Sequence, residues 1–426
     1  MTTYGVYYGA APIGMLSSER GRLRFQYDQD VVDERGPALS VRLPPRAEPY
    51  DHDDTDAFFA NLLPEEEYRE LLARILQVSE RNVAGLLGAI GGECAGAVSI
   101  WPRGEQPHDP PVYAAIPPAE FRRLIEASDA AQRLAVVREG RLSLAGTMEK
   151  LGLRRRGERW ERGRNGAPTT HILKWPQARF PDQSFNELFC LELWRDVGLP
   201  VPEQVEVVGT QRTALVVGRH DRREEDAGGI RLIHQEDFLQ ATGRDAAAKY
   251  EGDRGPSLAD CAAVVRAHGA APARGILLLL RWTIANFLTG NGDGHGKNLA
   301  LLHDPDEGVQ LAPFYDVTCS LAYTGLHRKL AMRIGGEYRF AYVRARHWAR
   351  LADDLGIPVA AVRRDAALLA DVFDAARERV HARLAAAYGD QAIFHAISAI
   401  VHRQVGLLRE HLPVAVASRR QRHTEA

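Results

Sequence analysis

The sequence predicts an α+β protein with a β-rich first half and a mainly helical C-terminal half. Three observations carry this. Short runs of strand composition, punctuated by glycine and proline, recur through the first half: YGVYYG, RLRFQY, RLSLAG, THILKW, EQVEVVG and TALVVGRH. From about Leu239 onward, apolar residues repeat at helical spacing in SLADCAAVVRAHG, ARGILLLLRWTIANFL, VAAVRRDAALLADVFDAARERVHARLAAAYG and FHAISAIVHRQVGLLREHL. The 426 residues are also enough for two or three domains with real cores.

The elements can be justified in order. Residues 1–105 read as a first α+β unit. In it, DTDAFFANLLPEEEYRELLARILQVSERNVAGLLGAIGG is helical, with Asp54 or Thr55 as the cap and Leu71, Leu72, Ile75 and Leu76 at helical spacing. The Pro-rich stretch Trp101 to Pro111 marks a boundary. Residues 106–238 form a β-rich region, in which RRRGERWERGRNGAP is an exposed basic hairpin or loop. The helix DQSFNELFCLELWRDVGLP follows it and stops at Gly198 and Pro200. EQVEVVG and TALVVGRH then pair antiparallel. Residues 239–426 are helical, interrupted by a short strand in VQLAPFYDV and closed by a disordered tail, SRRQRHTEA.

Composition excludes several classes. Apolar residues at 45% and charged residues at 26% are ordinary for a globular protein. A net charge of −2 leaves no global footprint for nucleic acid, and the runs RRRGERWERGR and SRRQRH read as solvated loops. Cys94, Cys190, Cys261 and Cys319 are far apart, which fits reduced thiols and no disulfide frame or zinc site. The N-terminus lacks the pattern of a signal peptide. The greasiest stretch, Gly275 to Leu288, is interrupted by Arg281 and too short to span a bilayer, so the expectation is a soluble cytoplasmic protein with no membrane partner. No G-x-x-x-x-G-K-[ST] and no G-x-S-x-G occurs. GAIGGECAGA follows a helix and lacks the dinucleotide order, so it reads as a packing turn.

The loop GNGDGHGKNLALL, Gly290 to Leu302, stands out because it leaves a very apolar helix through a dense polar cluster. A calcium loop is excluded, since the twelfth position from Asn291 is Leu302; His295 and His303 match no common zinc spacing. Phosphoryl transfer from ATP needs a carboxylate for the nucleophile, oxygen ligands for magnesium and a cation on the phosphates. Asp293 precedes Asn298 by five positions, the spacing of a kinase catalytic loop, and Asp316 follows eighteen residues later. Lys174, on a strand, could reach phosphates, and Glu187 or Glu192 on the next helix could hold it. Each piece alone reads as a turn or an edge charge; the ordered set carries the inference.

N-x-D-x-H-x-K-N, P-x-Y-D-V, S-x-A-G-x-x-x-K and H-I-L-K, with FFANLLPEEEYRE, GGECAGAVS and HQEDFLQATG, resemble the HipA family over nearly the whole chain. These are bacterial serine/threonine kinases that act as toxins of toxin–antitoxin modules. The resemblance implies a two-lobed, protein-kinase-like fold using ATP and Mg2+. It implies Asp293 as the catalytic aspartate, Asn298 and Asp316 as magnesium ligands, and Lys174 on the ATP phosphates. Glu187, in an N-E-x-x-C pattern, is preferred over Glu192 as the partner of Lys174. Glu236 and Phe238 would sit at the hinge against adenine, and Ser143 would be autophosphorylated, expelling its loop. The implied partners are a HipB-like DNA-binding antitoxin, through which alone nucleic acid is met, and a protein substrate, an aminoacyl-tRNA synthetase; a homodimer within the antitoxin complex fits. Thr147 and Met148 depart from the small residue and Gln usual in the family's loop, and Met148 removes an amide. Two alternatives remain at this point: a non-catalytic, kinase-like corepressor scaffold, and a small-molecule kinase.

Overall fold

The computed structural model describes residues 1–126, 136–226 and 228–412. The N-terminal sheet has four antiparallel strands in the order Arg22–Tyr27, Ala11–Glu19, Thr2–Tyr8 and Val98–Pro102. RLRFQY alternates as its period-2 pattern demands, with Leu23, Phe25 and Tyr27 buried. The strand Ala11–Glu19 escapes detection from sequence because Pro12 and Gly14 interrupt its alternation. The helical stretch after it is three helices, His52–Phe59, Glu66–Leu76 and Val83–Ile90. Pro64 breaks the first join, and Gln77 ends the second helix in the left-handed region at φ 53°. The first cap is Asp51, not Asp54 or Thr55: its carboxylate accepts from the Asp54 N–H at 3.2 Å.

A six-stranded sheet comes next, in the order Val112–Ile116, Arg159–Arg164, Lys150–Arg156, His171–Lys174, Ala214–Gly218 and Val205–Val208, with every neighbour antiparallel. The basic run is therefore a hairpin built into a sheet and not an exposed loop; buried Arg154 lies over the Tyr113 ring at 4.4 Å. RLSLAG makes no strand. It is an irregular segment tied to the N-terminal unit by single bridges, Leu142 to Glu93 and Gly146 to Pro64, among other contacts. The pairing of Lys150–Arg156 with His171–Lys174 sets Lys150 directly opposite Lys174, so two ammonium side chains share one end of the sheet.

Beyond the sheet lie a three-stranded sheet (His234–Asp237, Ala300–Asp304, Gly308–Leu311) and the long helices. The apolar run becomes the helix Pro272–Thr289, with Leu279, Leu280, Ile284 and Leu288 completely buried. It stops at Gly290, whose φ of 71° favours glycine; a Cβ there would also meet Ile400 at 2.9 Å. In VQLAPFYDV the strand ends at Leu311, before Pro313, so Asp316 sits in the turn beyond. The helices Ala345–Asp354, Val359–Tyr388 and Ala392–His411 complete the C-terminal half. SRRQRHTEA lies outside the described residues.

Two large hydrophobic cores result, beside a small third cluster of Ile233, Ala300, Leu302 and Ala312. One joins the N-terminal sheet and helices to one face of the six-stranded sheet; the other gathers the C-terminal helices with the helix Gln183–Asp196. The strand Ala214–Gly218 serves both: Ala214 and Val216 point into the first core, Leu215 and Val217 into the second, as strand alternation requires. All four cysteines are buried and free. Among the described residues no helix is long and apolar enough to cross a membrane.

Candidate active site

A cavity of about 720 Å³ opens between the six-stranded sheet and the loop after Gly290. That volume suits a nucleotide-sized ligand. Lys150, Lys174, Glu187, Asp293, Asn298 and Asp316 all line it. Five of the eight residues singled out from the sequence thus meet on one surface.

Lys174 is held from both sides by sheet pairing, and its side chain is buried. Its Nζ donates to Glu187 Oε1 at 2.6 Å and to the Asp316 carboxylate. Burial works against the ammonium, but Asp316 and Glu187 more than offset it and hold its pKa above the usual lysine value. Glu187 is itself buried, and this raises its carboxyl pKa despite Lys174. Glu192 lies on the other side of the helix, bound to Arg195 and to Arg383 at 2.9 Å. Asp316 is pulled the opposite way from Glu187. Burial opposes its charge, yet Lys150 (3.5 Å) and Lys174 hold it well below the usual carboxylate range. Its backbone adopts φ 53°, a left-handed conformation costly for a non-glycine residue and typical of functional turns.

The facing wall is the polar loop. Asn291 donates to Asn286 at 2.7 Å and accepts from the Asp293 N–H at 2.9 Å, which fixes the turn. Asn298 donates its side-chain amide to the Asp293 carbonyl at 2.8 Å, leaving its oxygen for the cavity. The Asp293 carboxylate accepts from the Tyr250 hydroxyl at 2.5 Å. His295 is buried with no partner on Nδ1 among the described residues, and burial lowers its pKa, so it is neutral near pH 7.

The side chains of three predicted residues, Glu236, Phe238 and Ser143, do not line the cavity. Strand alternation turns Gln235 and Asp237 inward and Glu236 outward, where it binds Ser40 (2.5 Å), the Val41 N–H (2.9 Å) and His303 (2.7 Å). Phe238 is completely buried in the C-terminal core, and its N–H donates to the Leu299 carbonyl at 3.1 Å. Ser143 is completely buried; its hydroxyl donates to the Leu62 carbonyl at 2.7 Å, while its neighbours from Leu144 to Met148 line the cavity.

Other groups gave no clear signal in the sequence. Lys150 appeared only as the last letter of a motif. Lys297 is buried and donates to Asn61 Oδ1 at 2.8 Å, with Glu65 at 3.6 Å and Asp237 at 3.7 Å. At the cavity wall, where Arg219 and Asp221 also line it, Arg219 and Arg222 bind Glu93 and Asp221 at 2.8 to 3.4 Å, all buried. The glycine-rich turn carrying Glu93 thus anchors the N-terminal unit to the sheet lobe. No local pattern announces the contacts to Glu93, Cys94 and Asn61, because those partners lie 125 residues or more apart along the chain.

A sheet lobe with a buried strand Lys–helix Glu pair, facing a helical lobe with an Asp-x4-Asn loop and a turn Asp, defines a protein-kinase-like enzyme. The comparisons name the family. Residues 4–101 match the HipA N-terminal domain and residues 142–384 the HipA-like C-terminal domain, and the chain belongs to the HipA family of serine/threonine kinases. It is 36% identical to the Sinorhizobium fredii protein named "Putative kinase Y4mE" over 86% of this chain and 89% of that one. It is 31% identical to the "Serine/threonine-protein kinase toxin HipA" of Shewanella oneidensis over 71% of each. A solved complex of Shewanella oneidensis HipA, HipB and operator DNA contains a chain that superposes with a TM-score of 0.80, at 26% identity, covering 97% of this chain and all of that one.

Proposed function

We propose that this chain is a Mg-ATP-dependent protein kinase that phosphorylates serine or threonine and acts as a growth-inhibiting toxin. The observation that carries the reading is the opposition, across one cavity, of the Lys174–Glu187–Asp316 cluster and the Asp293–Asn298 loop. Asn298 and Asp316 offer an amide oxygen and a carboxylate, the hard donors that suit magnesium. Bound by them, magnesium would neutralise charge on the ATP phosphates. Lys174, oriented by Glu187, supplies a fixed cation for those phosphates. Asp293 accepts the proton of the acceptor hydroxyl as its oxygen bonds to the γ-phosphorus and the bond to ADP breaks. Tyr250 must yield that carboxylate to the acceptor.

Ser143 is the switch in this reading. Its hydroxyl must leave the Leu62 carbonyl to be phosphorylated. A phosphate carrying about −1.5 to −2 charge cannot return to a buried slot, so the segment lining the cavity stays out. A HipB-like antitoxin is the partner, since the solved relative is held with HipB and operator DNA. The family resemblance points to an aminoacyl-tRNA synthetase as target and to a homodimer in the complex with the antitoxin.

The test is peptide mass spectrometry after incubation with Mg-ATP. A phosphoryl group on Ser143 in the unchanged chain and none in Asp293→Asn supports the reading. Equal phosphate in both would mean another base, and ATP binding with no phosphate on the chain or on any co-expressed protein would favour a scaffold.

A further inference from the structure

A separate constellation lies far from the cavity, where the helix Val359–Tyr388 turns back into the helix Ala392–His411. His381 lies about two turns before the end of the first helix, Asp390 sits in the link and His395 is in the first turn of the second. His381 Nε2 is 3.1 Å from one Asp390 oxygen, and His395 Nε2 is 2.8 Å from the other. The three ligand atoms all lie within 4.8 Å of one another, and the imidazole rings meet edge to face at 4.4 Å. The site has a dry side and a wet side. His381 is mostly covered, beside the rings of Phe189 and Phe394, whereas Asp390 and His395 are 60% exposed.

We propose that His381, Asp390 and His395 bind a divalent transition ion of the zinc class, with water completing a tetrahedral shell. The donor set is two imidazoles and a carboxylate, which zinc prefers over magnesium or calcium. Zinc–ligand bonds of about 2.0–2.1 Å set tetrahedral donor–donor separations of roughly 3.3–3.4 Å; the two hydrogen-bonded pairs, each to a different Asp390 oxygen, lie a few tenths of an ångström short of that, and the ligand atoms, all within 4.8 Å of one another, need to shift by at most about 1.5 Å. One imidazole would satisfy the exposed carboxylate. Two, converging through the same ring nitrogen, would set two cations side by side if both were protonated, and a metal relieves that repulsion by replacing the protons. The two packed helices fix the ligands before the ion arrives, which lowers the ordering that binding requires. Three protein ligands with one open position match no short motif, and the spacing H-x8-D-x4-H passes unnoticed in the sequence.

The experiment uses the full chain stripped of metal with a chelator, then titrated with zinc against a chromophoric competitor. One equivalent should bind to the unchanged chain. His395→Ala and Asp390→Asn should each weaken that binding by about tenfold or more. Both positions are exposed, and matching circular-dichroism melts in zinc-free buffer will show that the variants fold. Cobalt(II) should give the intense visible absorption of four-coordinate geometry in the unchanged chain and not in the variants. Absence of a stoichiometric equivalent in the unchanged chain, or variants that bind as tightly as it does, would overturn the proposal. Ser143 phosphorylation is independent of this site, so loss of zinc binding in the variants should leave it intact.

Discussion

Two buried charge clusters flank the cavity, and they differ in what is left over. In the cluster of Arg219, Arg222, Glu93 and Asp221, no side chain is more than 6% exposed and both carboxylates are multiply bonded, with Arg222 Nε alone lacking a partner among the described residues; Glu93 also accepts from the Thr169 N–H at 2.6 Å and hydroxyl at 2.9 Å. Burial opposes the Asp221 charge, but the two arginines hold its pKa far below the usual range. In the cluster of Lys150, Lys174, Glu187 and Asp316, the Asp316 side chain stays 29% exposed, sits on a strained backbone and faces open volume. The first cluster is closed and joins parts of the fold. The second keeps spare bonding capacity toward a ligand. Buried charge alone does not mark function; a paired carboxylate left partly open on a cavity wall does.

The sharpest way to break this comparison is at the loop facing the open cluster. Asp293→Asn should reduce phosphoryl incorporation by about 10²–10⁴-fold, measured as initial rate with labelled ATP, while the thermal midpoint barely moves. Activity near that of the unchanged chain would remove the loop from the chemistry. Next in size is the closed cluster: Glu93→Leu leaves two buried guanidinium groups sharing the single carboxylate of Asp221 and should cost about 3–5 kcal/mol in urea unfolding. The molecules that remain folded should keep their KM for ATP, and a large rise in KM would show that the closed cluster also serves the nucleotide.

A smaller effect separates the clusters from Asp237 between them. Burial pushes the Asp237 carboxyl up to about 6, with Lys297 pulling it down only in part. Below the unfolded value of about 3.9 the group is protonated in both states and carries no penalty. As pH rises toward 6 the folded state holds the extra proton, so Asp237 contributes a loss of stability, about 2–3 kcal/mol, complete by about pH 7. Asp237→Asn can still cap the helix Phe238–Thr242. Its stability relative to the unchanged chain should rise across pH 4–6, and a parallel pair of pH profiles would contradict the assignment. The smallest effect expected is Glu192→Gln, within about 0.5 kcal/mol and silent in activity, because its partners Arg195 and Arg383 are at the surface. Glu187→Gln should instead raise the KM for ATP by freeing Lys174.

These pairs also explain what was legible. The helix that supports the site rests on periodicity within one element and the Asp293–Asn298 pair on a short loop spacing, both of which a single chain displays; the preference for Glu187 rests on the N-E-x-x-C resemblance, since helical spacing favours Glu192. Side-chain direction in the strand His234–Asp237 depends on which face meets the N-terminal unit, so the outward turn of Glu236 was hidden. The burial of Ser143 depends on Leu62, and the anchorage of Lys297 on Asn61; neither contact leaves a local trace. The zinc-type cluster was hidden for the same reason, since it exists only once two helices have paired.

The Lys297–Asn61 contact has a temporal consequence. It joins positions 236 residues apart, and it closes the polar loop onto the N-terminal unit. A chain emerging from the ribosome at about 5–20 residues per second exposes Asn61 many seconds before Lys297 exists. The polar loop therefore gains this contact only once about two-thirds of the chain has been made. Any synthesis that stops short of residue 297 lacks Lys297, Asn298 and Asp316 from the cavity wall, so a cell making this protein would meet its proposed chemistry only in copies whose translation has passed Asp316.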